Sequence, residues 1–131
     1  MKQSPKTFGE DVEFLQKHLP DAILLGDKAS DAQIIVAPSL QGRVMTSTAS
    51  GLDGASFGWL NYDLIASGKA SPHMTAYGGE ERFWLGPEGG QFSIYFKPGT
   101  PFTFDNWYVP SSLDTEGFDV ISSSNTEALF N

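Results

Sequence analysis

A chain of 131 residues that is 40% hydrophobic and 18% charged carries enough apolar side chain for one buried core and too much to stay disordered. Its formal charge of -8, with eight Lys and Arg scattered along the chain, argues against a nucleic-acid backbone as partner and disfavours an anionic membrane surface. The absence of cysteine removes disulfides and thiolate chemistry, and no apolar run approaches the roughly 20 residues that span a bilayer. No signal-peptide core is visible at the N-terminus, so the chain reads as soluble, and as cytoplasmic if that N-terminus is native; the compartment itself stays open.

Thr7-Phe8-Gly9-Glu10 has the form of a capping box, and Phe8, Val12, Leu15 and Leu19 follow at helical spacing. The pattern predicts one amphipathic helix over residues 8–19, stopped by Pro20. Two-residue alternation then replaces helical spacing. AILLGD (22–27) and AQIIVAP (32–38) read as a hairpin, GRVMTSTA (42–49) as a third strand and FGWL (57–60) as a short return strand. NYDLIASG (61–68) fits one helical turn closed by Gly68. Further strands are expected at about 81–86, 92–97 and 117–122, with an irregular stretch at 69–80 and an aromatic connection from Pro98 to Pro110. Fourteen Gly and eight Pro among ten Phe, four Tyr and three Trp favour sheet and turn over helix. The expected architecture is mainly β: one N-terminal helix, then a β region over residues 22–122, all in a single domain or the N-terminal portion of a larger one.

The densest stretch is YGGEERFWLGPEGGQFSIYF (77–96), with two Gly-Gly pairs, three carboxylates, one arginine and several rings. Polar groups beside aromatic faces suit a ligand that is both polar and apolar, and a sugar is the commonest of these. If 81–86 is a strand, period two puts Arg82 and Trp84 on one face and Glu81, Phe83 and Leu85 on the other. Phe83 and Leu85 then suit a packed face, while an indole beside a guanidinium makes a sugar platform; the plainer alternative is a cation-π pair on a sheet surface.

Glu80 and Glu88 are candidate general acid or base groups, Glu88 because Gly86, Pro87, Gly89 and Gly90 constrain the turn around it. His73, in SPHMTAYGG, is a third candidate. Each has a plainer reading as a surface charge, a salt-bridge partner or a structural loop residue. Arg43 either reaches the same cleft as Arg82 or pairs with an acidic residue, and Asn61 is a weaker candidate for hydroxyl contacts. His18 is explained by the helix dipole. No metal is expected, because clustered His, Cys or calcium-loop carboxylates are missing, and no cofactor motif is present.

GRVMTSTA, FGWLNYDLI and GGEERFWLGPEGGQFSIYF, laid in that order, resemble the uncharacterised bacterial proteins grouped as a domain of unknown function, 6786, over about Phe8 to Phe118. These in turn are similar to galactose mutarotase-like proteins, whose fold is a large twisted antiparallel β-sandwich. The resemblance implies an incomplete sandwich with a sugar-shaped cleft. In aldose 1-epimerases of that kind the catalytic histidine and glutamate lie in parts of the fold beyond this chain, so the resemblance implies a sugar site more than it implies mutarotation.

Two functional classes follow. One is a carbohydrate-binding or carbohydrate-processing domain, acting by acid/base catalysis if it is an enzyme. The other is a non-catalytic structural or assembly domain whose aromatic face packs against missing parts of the same protein. An incomplete sheet also exposes strand edges that favour self-association.

Overall fold

The computed structural model describes residues 6–27 and 29–131. Helix α1 (Phe8–His18) forms where the capping box predicts it: the Thr7 hydroxyl accepts from the Glu10 amide at 3.2 Å and the Glu10 carboxylate accepts from the Thr7 amide at 2.8 Å. Three antiparallel strands follow, β1 (Ile23–Gly26), β2 (Gln33–Ala37) and β3 (Arg43–Thr48), with β2 in the centre. A bulge between Ile35 and Val36 shifts the β2–β3 register, so that Ile35 faces Thr46 while Val36 faces Val44. Phe8, Val12 and Leu15 from α1 share one cluster with Ile35, Ala37 and Met45 of the sheet, and Leu60 and Ile65 close it. Burying one such side chain contributes about 1.5–3 kcal/mol.

Helix α2 (Tyr62–Ser67) is capped by Asn61 and closed by Gly68 in the left-handed region. A one-turn helix α3 (Ser111–Asp114) follows the long aromatic segment, and a separate two-stranded ribbon, β4 (Val120–Ser123) and β5 (Ala128–Phe130), ends the chain. The ribbon docks by backbone bonds from Phe118 to the Pro38 carbonyl at 2.9 Å and from Gly26 to the Asn125 carbonyl at 2.7 Å.

The structure departs from the expected mainly-β body in three places. The strand at 57–60 is reduced to a bridge between Leu60 and Gly78 and a bond from the Phe57 amide to the Ser47 carbonyl. The strand at 81–86 is reduced to one bridge between Val44 and Glu81, and 92–97 forms turns. Helices and strands therefore contribute almost equally to the regular structure, and both sheets are small. The cause is local. Gly78 (φ +89°) and Gly79 (φ +110°) turn the chain from Trp59 onto Val44 of β3, the pairing stops after Glu81, and Gly86, Pro87, Gly89 and Gly90 leave the next stretch in bends.

Between α1, β3 and α2 lies a polar node inside the core. Asp11, 1% exposed, accepts the Ser56 hydroxyl at 2.5 Å and the Tyr62 hydroxyl. Ser56 spends its one proton on Asp11, so the Thr46 hydroxyl 2.6 Å away must donate to Ser56, and Thr46 accepts in turn from the Gly58 amide at 2.9 Å. Burial, then the hydrogen bond to Asp11, pushes the Tyr62 phenol above its ordinary 10.0.

Replacing Asp11 with Ala should cost about 1–3 kcal/mol, because two half-buried hydroxyls lose their acceptor; urea midpoints with unchanged slope would measure it, and a change within about 0.5 kcal/mol would sink the account. The raised Tyr62 predicts a second effect. Its contribution is complete below pH 10 and is lost as pH rises through the higher folded-state value. Above pH 10 the stability of the parent should therefore fall with pH more steeply than that of Tyr62→Phe, by up to one proton in slope.

Candidate functional site

The segment from Tyr77 to Trp107 is held to the sheet at its start and then builds its own small core from rings. The Glu81 carbonyl accepts from the Val44 amide at 3.0 Å, and the Glu80 amide donates to the Val44 carbonyl at 2.8 Å. Arg82 then stacks on Trp84, its guanidinium carbon 4.5 Å from the ring centroid. Trp84 stacks on Tyr95 at 5.1 Å, Tyr95 on Trp107 at 6.0 Å, and Trp107 on Phe104 at 6.2 Å. The His73 ring tilts against Phe104 at 4.5 Å. Six side chains from between His73 and Trp107 thus form one continuous column. Tyr95, fully buried, anchors it with Val109 and Leu113, and the Tyr95 hydroxyl donates to the Leu85 carbonyl at 2.6 Å.

Arg82 and Trp84 lie on one side of their segment, as the sequence reading expects, and stack on each other, although no strand forms there. Trp84 is stacked against both Arg82 and Tyr95, and its indole N–H donates to Glu88 at 2.7 Å. Phe83 and Leu85, expected in a packed face, are 54% and 43% exposed. No ladder continues beyond Glu81, yet burial still alternates, with Arg82 and Trp84 turned inward and Glu81, Phe83 and Leu85 turned out.

The other candidates are dispersed. Glu80 is held by Ser47, whose amide donates at 2.7 Å and whose hydroxyl lies 2.8 and 2.9 Å from the two carboxylate oxygens. Asn61 caps α2, accepting from the Leu64 amide and donating to the Ala76 carbonyl, both at 3.2 Å. Arg43 lies under the Gly78–Gly79 bend and donates to the Gly78 carbonyl at 2.9 Å; a Cβ on Gly79 would come within 2.8 Å of its Cδ. His73 stands at the far end of the column. Arg82, Trp84 and Glu88 are brought together, Arg43 lies within electrostatic reach of Arg82, and Glu80, Asn61 and His73 are elsewhere.

His73 borders a groove of about 440 Å³ lined also by Pro72, Lys97, Thr100, Asp105, Asn106, Trp107 and Tyr108. Its Nδ1 lies 2.5 Å from the Trp107 carbonyl oxygen. A carbonyl only accepts, so Nδ1 carries the proton and Nε2 is left as the nitrogen that exchanges one.

A buried charged centre connects β3 to α3. Asp114 accepts from the Thr75 amide at 2.9 and 3.1 Å and from its hydroxyl at 2.8 Å, all buried. Arg82 donates to the carbonyl of the preceding residue, Leu113. Burial, and then the positive charge of Arg82, lowers Arg43 to about 10. Burial also lowers Arg82, with Asp114 and Tyr95 opposing that shift.

Sequence reasoning missed Asp11, Thr75, Tyr95, Trp107 and Asp114. Only Asp11 left a signal, a carboxylate on the apolar stripe between Phe8 and Leu15. Thr75 and Asp114 are 39 residues apart and carry no pattern.

Among the described residues no group of three or more His, Asp or Glu side chains comes together to hold a metal ion, and no helix is long and apolar enough to cross a membrane. The chain belongs to a family of unknown function (DUF6786), which it matches over residues 6–131. No curated protein and no solved structure matches it.

The stacked column predicts that Trp84→Ala reduces stability by about 2 kcal/mol, less than the roughly 3–5 kcal/mol of a fully buried indole because part of the ring is wet. Denaturant unfolding measures it, and an unchanged midpoint would show that the column carries no packing energy.

Proposed function

We propose that this chain is a carbohydrate-binding or carbohydrate-processing domain whose ligand occupies the groove beside His73. The mixed lining of that groove carries the reading: Tyr108 and the edge of Trp107 offer apolar surface to C–H faces, while Asp105, Asn106, Lys97 and Thr100 offer donors and acceptors for hydroxyls. His73, with Nδ1 committed to a backbone carbonyl, is oriented to take or deliver a proton through Nε2. In the enzymatic version His73 is the acid/base group, and Asp105 is the carboxylate in the same groove. Arg82, Trp84 and Glu88 stand at the opposite end of the ring column, three stacking steps from Phe104, so one sugar ring does not reach both ends. They are better placed for a second sugar unit or a separate ligand. On this reading the two antiparallel sheets are parts of a sandwich similar to galactose mutarotase-like proteins, completed by further strands.

A second reading, an assembly domain, is favoured by one observation: Phe92 is 79% exposed, Phe104 67% and Phe102 62%, and every residue of β4 is exposed. Rings and an open strand edge of this kind are normally covered by another protein surface.

Calorimetric titration with a panel of mono- and oligosaccharides tests the first reading. A binding sugar should lose about 1–2 kcal/mol of affinity on Tyr108→Ala, the scale of one lost aromatic contact, and His73→Gln should abolish any turnover while leaving the fold intact. No heat with any sugar, together with oligomers in sizing chromatography that dissociate on Phe92→Ser, would reject the carbohydrate reading in favour of assembly.

A further inference from the structure

The buried centre between β3 and α3 has more positive charge than its own acids neutralise. Arg43 is 3% exposed, yet among the described residues only its Nη1 finds a partner; Nε and Nη2 are buried without one there, and so is Nε of Arg82. The carboxylate whose field reaches both guanidinium groups is Asp114, and its two oxygens already accept three bonds from Thr75. Two cations therefore share one occupied anion inside a chain of net charge -8. Burying a cation with unused donors is costly, and an incoming anion removes that cost.

Arg82 also lines a groove of about 430 Å³ whose other walls are largely apolar, among them Val44, Phe83, Phe118 and Phe130. Glu81 and Gln41 border the same groove. The backbone leaves room for the pair: Gly79 admits the Arg43 stem, and Gly42, with φ +64°, sits where a Cβ would press on the Phe130 ring at 3.0 Å.

We propose that Arg82, backed by Arg43, forms a binding site for a small oxyanion, a carboxylate or a phosphate group, carried on an apolar body that fills the groove. The planar guanidinium of Arg82 matches either anion, and Arg43, outside the groove lining but within electrostatic reach of Arg82, supplies a second positive charge. The site is distinct from the His73 groove, since Tyr95, Trp107 and Phe104 intervene in the stack, and it stands whether or not the carbohydrate reading holds.

Titration with inorganic phosphate and, separately, with benzoate, at ionic strength held constant with chloride, tests the site by two readouts. One is the melting midpoint, which a ligand bound to the folded state raises. The other is tryptophan fluorescence, because Arg82 lies directly on the Trp84 ring. At least one anion should give a saturable change in both, and which one does so separates the phosphate from the carboxylate class. Arg82→Lys should weaken binding at least tenfold, since an ammonium lacks the fork, and Arg82→Gln should abolish it. Absence of a saturable change with both anions overturns the proposal, as does binding that survives Arg82→Gln. Should Arg82→Gln show no cooperative melt, Arg82→Lys decides, and an affinity equal to that of the parent overturns the site.

Discussion

The architecture depends on how one carboxylate is housed. Asp11 lies on the apolar stripe of α1, where a charge would ordinarily be expelled, and it is tolerated because hydroxyls from Ser56 and Tyr62 meet it there. Ser56 hands the connection on to Thr46 in β3, and Tyr62 brings in the start of α2. One buried acceptor thus fixes helix, sheet and loop relative to each other with directional bonds that hydrophobic packing alone cannot supply. The cluster of Phe8, Leu15, Ile35 and Met45 provides the cohesion, and the Asp11 node provides the geometry.

The second half of the chain is organised on a different principle. From Glu81 to Val109 there is almost no backbone ladder, and order comes from side chains: a column of stacked rings with a guanidinium at one end and an imidazole at the other. Such a column has few backbone bonds to hold its loops, so its outer rings remain exposed and its grooves open to solvent. The two candidate ligand regions lie at its two ends. The grooves follow from this construction, since turns anchored at single points leave gaps between them.

The charged centre of Arg43, Arg82, Thr75 and Asp114 joins the two halves. Arg43 comes from the last strand of the regular sheet, Arg82 from the foot of the ring column, and Asp114 from α3. Its position at the seam means that occupation by an anion would be felt in both halves through the Gly78 and Leu113 carbonyls that the arginines hold. A site at such a seam is well placed to couple ligand binding to the packing of the column.

The sequence alone determined the features that rest on short-range rules. The capping box with its Phe8, Val12 and Leu15 stripe specified α1, and alternation with intervening turn residues specified β1 to β3. Gly68 marked the end of α2. It also paired Arg82 with Trp84, with Glu80 or Glu88 nearby, because they lie close together in the chain. Tertiary structure decided what those residues do. Pairing with β3 stopped after Glu81, so no strand formed at 81–86; burial still alternates there, but it is Arg82 and Trp84, stacked on Tyr95 from eleven residues away, that turn inward. The meeting of Thr75 with Asp114, of His73 with the Trp107 carbonyl and of Asp11 with Ser56 and Tyr62 joins positions 34 to 51 residues apart. Contacts at such separations leave no local pattern to read, because no turn or helix period links them and only the packing of the whole chain brings them together.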